Sequence, residues 1–267
     1  MQTATHSLAT DTGAVLARLE ALRASGVLTQ AEVVSCNGLA DALRRPARVA
    51  VFGQSADDVT GVLASMLGET VIEVAPEGPA IEVYAGESAQ HTATFEDGSS
   101  LTQEGYPAAA LLDYGPLFLQ LEAPLPMLQT MSFLAVELGG DAETYTPALN
   151  WASKRSEIAI FCANSFGDGE AAIWRAAPDR LKNHCYLVIT GAQDTASARA
   201  RGAFDAVIHA PGASRMAAPL AALKHRLAAD ITDARREDMD AAELFLRRFP
   251  GTGGDGADTP KAKGAEA

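Results

Sequence analysis

Seven residues, ARVAVFG at 47–53, limit what this chain can fold into more than any other stretch. They form a short, almost wholly apolar run that ends on glycine, the pattern of a buried strand followed by a sharp turn. Immediately beyond, in residues 57–67, Val59, Val62, Leu63, Met66 and Leu67 recur at helical spacing. Strand, glycine turn and helix together open an α/β domain.

The rest of the chain extends that pattern. Strand-like runs lie at 70–74, 80–84, 91–95, 117–122, 131–138, 157–162, 185–190 and 206–209, and helical patterns at 146–153, 170–176 and 195–202. Buried strands alternating with helices predict an α/β fold built on a doubly wound, mostly parallel sheet. Ahead of it, Val15, Leu19 and Leu22 line one face of a helix over 12–25, and Val33, Leu39 and Leu43 one over 29–45, with Ser25-Gly26 between them and Pro46 as the stop. Behind it come two amphipathic patterns, 216–229 with Leu220, Leu223 and Leu227 in register, and 233–249 with Met239, Leu246 and Phe249. The terminal helices are expected to pack together as a small bundle. The organisation expected is therefore a helical hairpin over 1–45, an α/β domain over 46–213 and C-terminal helices over 214–249. The remainder, 250–267, has no large apolar residue after Gly251 and reads as a disordered tail.

Charge is distributed unevenly. The chain holds 34 acidic and 21 basic residues for a formal net charge of −13, yet from Val49 to Ser153 there are fifteen Asp or Glu and no Lys or Arg. Nucleic acids and anionic membrane surfaces are recognised by clustered cations, so a nucleic-acid partner is not expected. No stretch approaches the roughly 18 to 20 apolar residues of a membrane span, and the first residues lack the pattern of a secretory signal, so a cytoplasmic location is expected. Three cysteines, Cys36, Cys162 and Cys185, have no metal-ligand spacing and read as buried thiols. The five histidines show no i, i+4 pairing, and a Cys162 or Cys185 nucleophile served by His209 is disfavoured because both thiols fall in buried strands. Trp151 and Trp174 are expected in core packing rather than at a partner contact.

Residues 46–68, PARVAVFGQSADDVTGVLASMLG, resemble the opening of dynamin-like and related GTPases, where a strand, a GxxxxGK[ST] phosphate loop and a helix follow one another. Aligned that way, Gly53 is the first glycine and Thr60 the magnesium-binding hydroxyl, while Asp58 replaces the second glycine and Val59 the lysine, with Asp57 beside them. MSFLAVELGG at 131–140 resembles the strand ending in DTPG, with Glu137 at the aspartate, Leu138 and Gly139 next and Gly140 at the glycine. LVITGAQD at 187–194 resembles the strand ending in [NT]KxD, with Thr190 kept, Gly191 at the lysine, Gln193 at the guanine-reading aspartate and Asp194 one residue late. GPAIEVYAG at 78–86 resembles the switch segment, with Gly78 at its threonine. The resemblance spans about 46–213 and implies a P-loop GTPase type of sheet whose individual motifs are all broken.

Those breaks predict a protein without GTP hydrolysis: no catalytic residue, no metal, no cofactor. A phosphate loop aims backbone N–H groups and a lysine at an anion on a helix N-terminus. Here Asp57 and Asp58 stand at that end, and two like charges ~4 Å apart at an effective dielectric of ~20 repel by about 4 kcal/mol, roughly a thousandfold in affinity. As helix-capping groups, Ser55, Asp57 and Asp58 fit the helix dipole well. A metal site at Asp57 and Asp58 would need Glu137 or Asp141 to converge on them. The resulting expectation is an inactive scaffold or regulatory subunit acting through protein contacts, its partner carrying a basic patch, with an intact dynamin-like GTPase as one candidate that the resemblance implies, and with homo- or hetero-oligomers allowed. Two alternatives stand beside it: a nucleotide-binding enzyme with an unorthodox phosphate site, and an oligomeric membrane-remodelling protein.

Overall fold

The computed structural model describes residues 2–191, 200, 202–212 and 220–250. Nine strands form one sheet: β1 (Ala47–Gly53), β2 (Ala80–Ala85), β3 (Gln90–Thr94), β4 (Ser100–Glu104), β5 (Phe118–Ala123), β6 (Met131–Glu137), β7 (Ile158–Ala163), β8 (Cys185–Ile189) and β9 (Ala206–His209). Their order is β4-β3-β5-β2-β6-β1-β7-β8-β9. From β6 to β9 all neighbours run parallel, whereas β2 is antiparallel to β6, β5 is parallel to β2, and β3 and β4 form an antiparallel extension. The sheet is thus mostly parallel and the fold α/β, as the alternation of runs implied.

β1 lies in the sheet interior, between β6 and β7, with both its faces apolar. Helix α3 (Ala56–Leu67) packs on β1, β6 and β7. On the other face Ala50, Phe52, Leu134 and Val136 meet Leu149 and Ala152 of α4 (Ala142–Ser153) and Ile173 and Trp174 of α5 (Asp168–Ala176). Covering both faces is what lets near-continuous apolar strands such as IAIFCA stay out of water. Trp174 is buried there, stacked 4.5 Å from the Phe204 ring centroid, and its indole N–H donates to the Ala203 carbonyl at 3.0 Å. Trp151 is half-buried, edge-on to Phe118, with the Arg155 guanidinium 4.3 Å above its ring. A short helix, α6 (Asp179–Lys182), precedes β8.

The helical residues cluster separately: those up to Arg45 group with those from Ala228 onward. In this bundle Val15, Leu19 and Leu22 of α1 (Gln2–Ala24) pack with Cys36, Ala40 and Leu43 of α2 (Gln30–Arg44) and with Ala242, Phe245 and Leu246 of α7 (Ala221–Leu246). Thr29 starts α2 with a capping box, its hydroxyl accepting from the Glu32 N–H while Glu32 reaches back to the Thr29 N–H at 3.0 Å.

Two expectations change, and one strand is added that the sequence did not suggest. Residues 70–74 are not a strand: Val71, Ile72 and Val74 are buried, but the Val74 N–H is donated to the Thr60 hydroxyl at 2.8 Å rather than to a neighbouring strand, so the apolar run lines a loop. The two C-terminal helices are one over 221–246, because neither glycine nor proline interrupts it. Strand β4, fully exposed, has no apolar alternation and gives no periodic signal. Part of the 195–202 and 216–229 helical patterns, Gln193, Asp194 and the tail from Gly251 lie outside the described residues.

Candidate functional site

In open α/β sheets ligands bind beyond the carboxyl ends of the strands, where the connections diverge. In this chain that place is the end of β1. Gly53 is paired with Glu137 on β6 and Cys162 on β7. A Cβ on Gly53 would lie 2.3 Å from the Cys162 carbonyl oxygen, so the glycine is demanded by the close approach of β7.

Only Gln54 and Ser55 separate β1 from α3. Ser55 caps the helix, its Oγ accepting from the Asp58 N–H at 3.2 Å and its carbonyl from the Val59 N–H at 3.1 Å. The positions aligned with the phosphate loop are therefore the first helical turn, and two of their N–H groups are already bonded within it. Asp57 is exposed. Asp58 is buried, and its Oδ1 accepts from the Thr190 hydroxyl at 2.7 Å. Its carboxylate lies at a helix N-terminus, where negative charge is favoured by ~0.3–1 kcal/mol or more. Val59 is fully buried in the core, so a lysine there would have to place its ammonium among apolar groups. Thr60, at the magnesium-binding position, accepts from the Val74 N–H at 2.8 Å.

The remaining aligned residues are committed elsewhere. Glu137 accepts from the Glu77 N–H at 3.2 Å; burial pushes its carboxyl above the usual range, that hydrogen bond pulls it back, and the Glu77 charge raises it again. Glu77 is itself held at φ 54°, in a turn where the Gly78 N–H donates to the Ala75 carbonyl at 3.0 Å. A Cβ at Gly78 would stand 2.9 Å from that carbonyl oxygen, which leaves no ready place for a switch threonine. Gly191 is likewise pinned, a Cβ there meeting the Asn164 carbonyl oxygen at 2.1 Å. Gly140 has open space around it. Asp141 caps α4, accepting from the Glu143 and Thr144 N–H groups at 3.0 Å each. The convergence a metal at Asp57 and Asp58 would need is not formed: among the described residues no three His, Cys, Asp or Glu are grouped to hold an ion.

Two features escaped the sequence. Asp58 and Thr190 are 132 residues apart, and only the sheet order brings them together. They lie against Cys162, whose thiol is pushed well up by burial and then by the Asp58 charge, consistent with an inert structural thiol. The second is a cavity of about 430 Å³ lined by Asp57, residues 72–76, Pro107 and Ala108, and by Leu112 from a 3-10 turn (Ala109–Tyr114) too short to show periodicity.

Neither known protein families nor curated proteins match the sequence. Solved structures do. Two structures of an oligomerised bacterial dynamin pair, described as providing a mechanism for the long-range sensing and tethering of membranes, align with TM-scores of 0.56 and 0.55 at 15% sequence identity. The alignment covers 82% of this chain and 39% of each of those, so the chain spans well under half the length of the structures it matches. The likeness establishes the fold alone, an α/β fold shared with these bacterial dynamins. No helix among the described residues is long and apolar enough to cross a membrane.

Proposed function

We propose that this protein is a catalytically inactive relative of dynamin-like GTPases that works as a scaffold or regulatory subunit through protein contacts. The observation that carries this reading is the Asp58–Thr190 hydrogen bond beneath the first turn of α3. The chain places its own carboxylate at the ends of β1 and β8, where an active relative would admit a phosphate, and no lysine stands within the 49–153 stretch to offset it. A nucleotide would have to unwind the Ser55-capped turn, expose Val59 and face both aspartates. Protein partners fit the acidic stretch and the assembly of the structural neighbours as a pair.

Isothermal titration of the full chain with GTP, GDP and ATP, each with magnesium, tests the loss of activity: no binding and no phosphate release are expected, and micromolar binding of any of them would sink the reading. Association with a basic partner surface is expected to slow as salt rises, since screening shortens the Debye length from ~30 Å at 0.01 M to ~10 Å at 0.1 M.

A further inference from the structure

We propose that two adjoining cavities on the α/β unit dock a segment of another protein made of one or more large apolar side chains flanked by Lys or Arg. The first is the 430 Å³ cavity beside Asp57. The second, about 370 Å³, shares Ala75, Pro76 and Leu112 with it and continues along residues 77–79, Asp113 and residues 115–117. This deepens the proposed function by naming the surface and the chemistry of the contact.

Shape and charge specify the occupant together. The floor is apolar, with Ile72 and Val74 on one side and Leu112 on the other. Four prolines, Pro76, Pro79, Pro107 and Pro116, border the two cavities and fix the backbone, so little ordering is needed on binding. The rim is acidic: Asp57 and Glu73 at the first cavity, Glu77 and Asp113 at the second, all exposed, with no Lys or Arg among the described residues that line either. Those carboxylates do not converge on a point, as shown by the lack of any metal-competent grouping among the described residues. Spread acids suit an extended cationic chain rather than a bound ion. Leu117, 60% exposed, lines the second cavity, and Tyr114, 76% exposed and set in the chain between the lining residues Asp113 and Gly115, adds apolar surface beside it. A second copy in a two-fold arrangement would bring this acidic rim against itself, so charge complementarity selects a different, basic partner.

The test uses fluorescence anisotropy of the full chain with three labelled synthetic peptides of equal length: one alternating Lys or Arg with Leu and Trp, one with Glu in place of the cations, one with Gly and Ser in place of the apolar residues. The first is expected to bind and the others not. A variant carrying Asp57→Asn, Glu73→Gln, Glu77→Gln and Asp113→Asn is expected to bind about tenfold more weakly, and Leu117→Ser to weaken binding without changing net charge. A charge-matched control, Glu87→Gln, Glu96→Gln, Glu143→Gln and Asp168→Asn, neutralises exposed acids that line neither cavity and should bind like the parent. Equal weakening in both variants, equal binding of the Gly and Ser peptide, or no binding of the first peptide would overturn the proposal. So would concentration-dependent self-association, seen by sedimentation, that the four cavity substitutions abolish, since it would assign the surface to a second copy. Nucleotide titration of the same samples keeps the two ideas apart: peptide binding can fail while nucleotide binding stays absent, and nucleotide binding defeats the inactive reading alone.

Discussion

At the scale of single residues, Asp58 and Glu137 show how the same carboxylate group serves two purposes in two surroundings. Asp58 is buried and relies on the Thr190 hydroxyl. Thr190→Val removes that donor and leaves a buried acceptor unpaired, which costs ~1–3 kcal/mol; urea denaturation should show the loss, and an unchanged midpoint would mean that the hydrogen bond contributes nothing net. Glu137 behaves differently, because burial holds its folded-state carboxyl above the ordinary 4.5. The folded chain then binds its proton more tightly than the unfolded chain, so this group's contribution to stability falls as pH rises from about the ordinary carboxylate value, ~4.3, up through the folded value. Glu137→Gln keeps an oxygen to accept the Glu77 N–H and removes the buried charge. Thermal melts should show the variant gaining on the parent as pH rises through that window, and parallel profiles would exclude a raised Glu137.

Among the elements, the β1–α3 unit was the most legible in the sequence and also the most misleading. Its strand and helix were readable because seven apolar residues ending in glycine, then apolar residues at helical spacing, each bury a face. The helix read as 57–67 begins at Ala56, and the connection is Gln54 and Ser55 alone, because Ser55 is a good cap and Asp57 and Asp58 suit the first turn. What misled is the phosphate-loop alignment, which treats residues 54–58 as loop. Gly53 has a similar double reading: the motif suggests a phosphate-facing glycine, and the structure shows one required by the Cys162 carbonyl. Gly53→Ala must push β7 from β1 and should destabilise the protein by ~1–3 kcal/mol in chemical denaturation; a neutral effect would show that the strands yield easily. Residues 70–74 failed as a strand although Val71, Ile72 and Val74 are buried as their pattern suggests, because burial of a run does not say where its N–H groups go, and that of Val74 goes to the Thr60 hydroxyl.

Over the whole molecule, the net charge of −13 acts against compactness, and the fifteen acids from Val49 to Ser153 concentrate that repulsion. Raising salt from about 0.01 to 1 M cuts the Debye length from ~30 to ~3 Å, so the denaturation midpoint should rise with sodium chloride; a flat response would mean that the acids lie too far apart to repel. What the sequence determined by itself was whatever depends on local periodicity and on counting: the buried strands, the amphipathic helices, the α/β class and the stretch without cations. Burial of one face or both leaves its signature along the chain, and charge needs no fold to be summed. What the tertiary structure alone decided was which acids meet which donors. Sheet order placed Thr190 against Asp58, and a short 3-10 turn lined a cavity with residues 72–76, because contacts between distant residues follow from strand pairing, which periodicity does not encode.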